Sequence, residues 1–575
     1  MKIYLAADCV ISFNRIFSTH FSQEENSANC LKREVPPFVS KPIAWQNYTS
    51  SESKKLPDET PLERLFIDTA DVLFSQYLGK SGKLSNRFRI IFSSTKGNID
   101  LLKSAPPVDK RCYPAEMAAR IAEYYGFTEK PIVISNACIS GITALVMGKR
   151  LIQSGRYDEV MVLGGDLMTE FVNKGFSAFH ALSPTLCKPF DANRDGLTLG
   201  EACGGIILTK HREKVSGEAV VLEGGCMTSD ACHVTAPSRT GDGLYYAIQG
   251  AMADAGLSMD TVASEIDYIN AHGTGTVYND EMESKAIHLA GLQTCPINSL
   301  KPYLGHTLGA SGVVETILCM EQMRRNIIWG TPGFSKLGVP KSISISSDEQ
   351  KSPYGKINRI LKLASGFGGT NGALILAREE VCNDSERETI LGHPVEIASR
   401  RICNQHIPEE EKCDFHRRIL DEFGALKRPN LKFFKMDSLS KLGYVTSEYL
   451  LKELNLSEKY LPQEIGIVLG NRSASLDTDL RHQKIVDQHL PEGASPSVFV
   501  YTLPNVTAGE ISICHNIKGE CTFLIQKEKD LTTLRNYAEF LLKNGILKAV
   551  IYGWCELLGE EYDADFHLLE WDKIK

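Results

Sequence analysis

Four short segments carry residue types that could do chemistry together. Ser135-Asn136-Ala137-Cys138-Ile139-Ser140-Gly141 places a cysteine at the start of an apolar helical pattern. Helix-end N–H groups and the helix dipole, roughly half a positive charge, favour thiolate over thiol there and would stabilise an oxyanion nearby. A buried structural thiol is the alternative for a lone cysteine. Asn270-Ala271-His272-Gly273-Thr274-Gly275-Thr276 follows the apolar run Ile266 to Ile269, so His272 sits just past a strand end among glycines that allow close backbone approach. Here the alternative is a histidine satisfied within its own turn. Lys301-Pro302-Tyr303-Leu304-Gly305-His306 leads through Thr307-Leu308-Gly309-Ala310-Ser311-Gly312 into another helical pattern, with Glu315 one turn further on. The fourth segment, Gly366-Phe367-Gly368-Gly369-Thr370-Asn371-Gly372, is a glycine-rich turn after Ile360 to Leu363. A phosphate-binding loop would need a lysine after its last glycine, and this one has none.

The elements that must position these groups are legible as alternation. Short apolar runs, Arg89 to Phe92, Ile132 to Ile134, Val160 to Leu163, Gly205 to Leu208, Ile266 to Ile269 and Ile360 to Leu363, alternate with longer helical patterns, which predicts an α/β layered fold. The clearest helix is predicted over Ile139 to Gly155, with Ile142, Leu145, Val146 and Leu151 on one buried face and a glycine at its exit. A strand, a sharp turn and a helix therefore meet at Cys138.

Composition narrows the function classes. With 575 residues, 43% of them hydrophobic and 23% charged, the chain is an ordinary globular sequence of about three or four units. The formal charge is −8 and no Lys/Arg block forms a phosphate-tracking stripe, so nucleic acid is not an expected partner. Sixteen cysteines without C-x-x-C pairs argue against a zinc ribbon or a secreted disulfide framework. No signal-peptide core opens the sequence and no run of about 18 apolar residues occurs later, so no membrane span is expected and the expected location is cytoplasmic.

Taken together and in order, the four segments resemble the β-ketoacyl-acyl carrier protein synthase family of the thiolase fold. Lys188-Pro189-Phe190-Asp191-Ala192-Asn193-Arg194-Asp195-Gly196 with Gly200-Glu201, Asp230 through Pro237, and Asn279-Asp280 with Glu283 agree with it. The resemblance covers about residues 1 to 378, and it implies a ketosynthase N-terminal half over 1–215 and a C-terminal half over 216–378. It implies that Cys138 accepts an acyl chain and that His272 and His306 polarise a malonyl thioester during decarboxylation. By the same carry-over the backbone N–H groups of Cys138 and Phe367 form the oxyanion hole, Phe367 gates the acyl pocket, and Lys301 and Glu315 orient the histidines. Thr274 and Thr276 match residues that contact the phosphopantetheine arm of a carrier protein. Ala137 and Gly141 are small enough to leave room for an acyl thioester. The implied partners are acyl and malonyl carrier proteins; no metal and no bound cofactor are implied, since the substrates arrive on phosphopantetheine. The turn Ile90 to Gly97 departs from the family's glycine-richer pattern, so substrate class does not transfer.

Beyond a polar, acidic stretch read as a linker, 379–388, something recurs. A shift of 390 residues sets Pro114 on Pro504, Ile132-Val133-Ile134 on Thr522-Phe523-Leu524, Gly155 on Gly545, Val160 on Val550 and Asp166 on Glu556, with Glu528 where Cys138 would be. Chance alignment of two strand–helix–strand units is the alternative. Residues 389–575 are thus expected to be a degenerate ketosynthase half without catalytic groups, whose strand Thr522 to Ile525 pairs with another chain or copy. The expected assembly is a homodimer or a heterodimer resembling ketosynthase with chain-length factor. The rival functions are a non-catalytic partner of another ketosynthase, and a thiolase; a serine hydrolase lacks its G-x-S-x-G elbow.

Overall fold

Three stretches of the chain build the same five-stranded unit. The computed structural model describes residues 1–12, 15–17, 56–81, 84–103, 107–352, 355–382, 390–404, 414–488 and 494–573. Unit 1 holds β1 (Tyr4–Ser12), β2 (Phe88–Ser93), β3 (Ile132–Ile134), β4 (Glu159–Asp166) and β5 (Ala202–Thr209). Unit 2 holds β6 (Val220–Ser229), β7 (Tyr268–Asn270), β8 (Pro296–Asn298), β9 (Arg359–Gly366) and β10 (Thr370–Arg378). Unit 3 holds β11 (Gly392–Cys403), β12 (Ile465–Asn471), β13 (Cys521–Ile525), β14 (Ala549–Leu558) and β15 (Glu561–Lys573). In every unit the first strand runs antiparallel to the fifth, the fifth antiparallel to the fourth, the fourth parallel to the second, and the second parallel to the third. The parallel strands read as short continuous apolar runs because helices cover both of their faces.

A helix follows the third strand of each unit: α1 (Ser140–Gln153), α2 (Ser311–Arg325) and α3 (Leu531–Lys543). The sequence predicts one buried face for α1, yet Ser140 to Arg150 and Ile152 are buried all round. The reason is layering: α1 packs on β4 and β2 of unit 1 and on β6 and β10 of unit 2, so only its last turn, at Gln153, reaches water. Gly141, expected from its size to make room for a ligand, does not do so. A Cβ there would lie 2.7 Å from the Val313 nitrogen and 2.9 Å from the Gly312 Cα, so its space is taken by the crossing of α1 and α2. Gly155, at φ +74°, closes the exit of α1.

Units 1 and 3 join through their third strands. β13 pairs antiparallel with β3, Leu524 opposite Ile134 and Ile525 opposite Val133. The strand expected to pair with another chain or copy pairs with the corresponding strand of unit 1 in its own chain, and the β3 edge is filled. Leu524 and Ile134 share one hydrophobic core with Tyr537 and Leu541 of α3. The expected linker begins with a turn at Glu379–Val381, and residues 383–388 of it lie outside the described residues. Among the described residues no helix is long and apolar enough to cross a membrane.

Candidate active site

The carboxyl ends of β3, β7 and β8 and the turn between β9 and β10 converge, and each delivers one of the four segments. After β3 the backbone turns sharply: Ala137 sits at φ +47°, a left-handed conformation that costs a residue with a Cβ about 1–2 kcal/mol. Local hydrogen bonds hold it there. The Asn136 N–H donates to Ser140 Oγ (2.8 Å), and that hydroxyl donates to the Ala137 carbonyl (2.6 Å). Unit 3 supplies further anchors, because Asn136 Nδ2 donates to the Cys521 carbonyl (3.0 Å) and Asn136 Oδ1 accepts from the Phe523 N–H (2.8 Å). Cys138 comes next, half-buried, on the short turn Ala137–Ile139 that leads into α1.

Unit 2 repeats this device without the nucleophile. Leu308 sits at φ +53°, a turn spans Leu308–Ala310, and Ser311-Gly312 opens α2 as Ser140-Gly141 opens α1. Gly309 takes the cysteine's place, its N–H donating to Asp166 Oδ2 at 2.7 Å.

His272 is fixed from behind by Glu283, which accepts the His272 N–H (2.5 Å) and the Gly273 N–H (2.8 Å). The His306 N–H donates to the Thr198 carbonyl (2.7 Å), and its Nδ1 lies 3.0 Å from Ser311 Oγ. The two imidazoles meet edge to face with centroids 5.2 Å apart. Cys138 Sγ and one nitrogen of each ring all lie within 4.8 Å of one another. Those donors are also the group among the described residues able to share a metal ion. Lys301 Nζ stands 3.3 Å from His272 Nδ1 and 2.9 Å from Glu315 Oε1. Since Lys301 has only hydrogens to offer, Nδ1 accepts and the neutral His272 ring carries its proton on Nε2.

Burial, then the lysine charges and, for His272, the neighbouring His306, drive both imidazoles well below the ordinary histidine value, so they are neutral N–H donors near pH 7. Glu315 behaves in the opposite way. Burial raises its carboxyl, but Lys301 and Lys362 outweigh that and hold it below the usual carboxylate range. Burial pushes the Cys138 thiol up to about 12, against the opposing pull of Lys301 and of the backbone N–H groups of Cys138 and Phe367. The thiolate expected from the helix end is thus disfavoured at rest, because desolvation outweighs the dipole. The same two N–H groups both reach Cys138 Sγ.

These groups line a cavity of about 340 Å³ with Phe176, Phe179, Leu197, Thr274, Thr276 and Phe367. The Thr274 and Thr276 hydroxyls are 2.8 Å apart on its wall. Lys301 and Glu315 stand behind His272 rather than in the cavity. Part of its lining is aromatic: Phe367 packs on Phe176 and Phe179, and both of these pack on Phe499 of unit 3. A larger cavity of about 490 Å³, between α1 and α3, holds none of the chemical groups.

Sequence reading missed several contributors. Lys362 Nζ lies 2.5 Å from Glu315 Oε2, and a lysine inside the apolar strand run Ile360 to Leu363 was the available signal. Lys96, in the turn that departs from the family pattern, forms a buried ion pair with Asp479 of unit 3 (3.1 Å). Asn136 and Phe499 had no local signal, since each works through contacts hundreds of residues away.

Comparison with known proteins agrees with this geometry. Residues 84–214 match the beta-ketoacyl synthase N-terminal domain and residues 219–335 its C-terminal domain. The putative mitochondrial 3-oxoacyl-[acyl-carrier-protein] synthase of Schizosaccharomyces pombe is 30% identical over 289 residues, 47% of this chain and 67% of that protein. A ketosynthase, ApeO, in complex with its chain length factor, ApeC, from Xenorhabdus doucetiae is 26% identical with a TM-score of 0.56, covering 66% of this chain and 98% of that one. The PfaC keto synthase–chain length factor structure covers 99% of this chain and 78% of its own at 14% identity and a TM-score of 0.75, a likeness of fold alone. The alignments span 67% and 60% of the first two curated relatives. With the N- and C-terminal domains matched over 84–214 and 219–335, and a 30%-identical 3-oxoacyl synthase matched over 67% of its own length, the chain belongs to the β-ketoacyl synthase family.

Proposed function

We propose that the chain catalyses a decarboxylative Claisen condensation between an acyl thioester and malonyl-carrier protein, and that unit 3 is its built-in, nucleophile-free partner. The observation that carries this reading is the approach of Cys138 Sγ, His272 and His306 to within 4.8 Å at an apolar cavity. In the first half-reaction Cys138 attacks the acyl-carrier thioester. The new carbonyl–Sγ bond replaces the bond to phosphopantetheine, and the Cys138 proton ends on the departing pantetheine thiol. In the second, malonyl-carrier protein binds with its phosphopantetheine along Thr274 and Thr276. His272 and His306 donate N–H bonds to the thioester oxygen while CO₂ leaves, and the resulting enolate attacks the acyl carbonyl. The Cys138 and Phe367 N–H groups hold the tetrahedral oxyanion. Its collapse releases β-ketoacyl-carrier protein and a Cys138 thiolate, which takes up a proton. Lys301 and Glu315 fix His272 in the tautomer that donates. This route assigns the cysteine and imidazoles to covalent and hydrogen-bond catalysis and needs no resident metal or cofactor.

The filled β3 edge supports unit 3 as the partner half, in the place a second subunit or chain-length factor would take. Intact-protein mass spectrometry tests the reading. After incubation with acyl-carrier protein, an acyl adduct is expected on the wild type and not on Cys138→Ala, and malonyl-carrier protein should discharge it as β-ketoacyl product. A chain that binds carrier protein and never takes an acyl group is instead a non-catalytic partner.

A further inference from the structure

The turn that carries Phe367 is gripped from unit 3. Asn505 opens the helix Asn505–His515 and is 1% exposed. Its Nδ2 donates to the Phe367 carbonyl at 2.9 Å, while its Oδ1 has no hydrogen-bond partner among the described residues. The fit is close on both sides of this bond. A Cβ on Gly368, at φ +86°, would lie 2.6 Å from Asn505 Nδ2, and a Cβ on Gly509 would lie 2.7 Å from the Gly368 carbonyl oxygen. Beyond Asn505 the turn is tied by the Gly368 N–H to the Val234 carbonyl (2.7 Å) and by the Asp230 N–H to the Gly369 carbonyl (2.7 Å). The ring of Phe367 lines the cavity together with Cys138 and packs on Phe176 and Phe179.

The repeat makes this contact informative. Under the 390-residue shift Asn505 falls on Ala115 of unit 1, which is buried and offers no side-chain hydrogen bond. Unit 1 has no partner site to serve, because unit 3 carries neither nucleophile nor gate. The amide is present only in the copy that faces the reactive cysteine. A buried amide left half-satisfied is costly, so its placement calls for a use.

We infer that Asn505 is a positioning residue that latches Phe367 over the acyl cavity, so that the unit without a nucleophile sets which acyl groups reach Cys138. The inference rests on the reading of Cys138 as the reactive group at this cavity. Holding the Phe367 carbonyl fixes the next peptide and, through the backbone, the ring that closes the cavity. Without the amide the turn keeps its ties to Val234 and Asp230 and the longer bond from Thr370 Oγ1 to the Phe367 carbonyl (3.4 Å), but loses the short bond that unit 3 makes to that carbonyl.

The test uses the full chain and two probes of Cys138, iodoacetamide and an N-octyl iodoacetamide, with intact-mass spectrometry as the readout. The quantity read is the ratio of long-probe to short-probe labelling rates. Asn505→Ala and the isosteric Asn505→Asp, which puts an acceptor where the donor was, should each raise that ratio by about fivefold or more. Phe367→Ala should raise it as well, and adding Asn505→Ala to Phe367→Ala should change nothing further. An unchanged ratio in both Asn505 variants overturns the latch, and so does an additive effect in the Phe367→Ala background. Because labelling needs no carrier protein, a chain that fails to condense yet shows the shifted ratio loses the catalytic reading and keeps the latch.

Discussion

Units 1 and 3 share a strand order and differ in the segment between the third strand and its helix. After β3 the chain turns within a few residues, through a left-handed Ala137, into a buried helix that carries Cys138 at its start. After β13 it runs through Gln526-Lys527-Glu528-Lys529-Asp530 before α3 begins at Leu531. Glu528 is solvent-exposed and pairs with exposed Lys130, away from the cavity that Cys138 lines. A strained turn persists where a second body holds it, and unit 3 holds the turn of unit 1 through Cys521 and Phe523. In the loop of unit 3 no reactive group remains to be positioned. Unit 3, with no cysteine at the matching position, instead supplies the contacts that hold the Cys138 turn of unit 1.

That contrast is sharpest under substitution. Cys138→Ala should abolish the acyl adduct and lower condensation by at least about 10³-fold, measured by intact mass and product formation, because no neighbouring side chain replaces a covalent nucleophile. A wild-type rate in that variant would make unit 1 as inert as unit 3. Glu315→Ala should cost about 3–5 kcal/mol of stability in urea unfolding, since it leaves Lys301 and Lys362 buried without their carboxylate.

Next in size is the pH response of Cys138. With its thiol raised by burial to about 12, the thiolate fraction keeps growing well beyond neutrality, so iodoacetamide labelling should rise about tenfold per pH unit from about 7 to about 10 without a plateau. A plateau below about pH 9 would mean that the helix end wins over desolvation after all. Glu528→Ala should be nearly silent, within about 0.5 kcal/mol in unfolding and unchanged in acylation, because an exposed ion pair contributes little. A large loss there would show that the loop after β13 does more than cap its strand.

Much of the site was legible because its groups lie at strand and helix ends, where local patterns mark them. Cys138, His272, His306 and Phe367 each come after an apolar strand run or open a helical one, and the structure brings them to one cavity. Lys362 was hidden because a lysine inside a strand looks like an interruption until its carboxylate is found across the layer. The sequence predicts one buried face for α1, yet the helix is buried all round from Ser140 to Arg150, because helical periodicity records side-chain polarity and not how many layers cover the helix.

The sequence by itself determined the chemistry on offer, a cysteine, two histidines and a glycine-rich turn in a fixed order, and the alternation that makes an α/β layered fold. Only the tertiary structure decided that the third unit closes on the first through β13 and β3, that burial raises the Cys138 thiol, and that Phe499 and Asn505 contact residues lining a cavity built by the other two units. Local patterns report which backbone conformation a segment prefers. Desolvation and long-range pairing depend on the groups packed against it, and those arrive through contacts nearly 400 residues apart, such as Asn136 with Phe523 (387 residues).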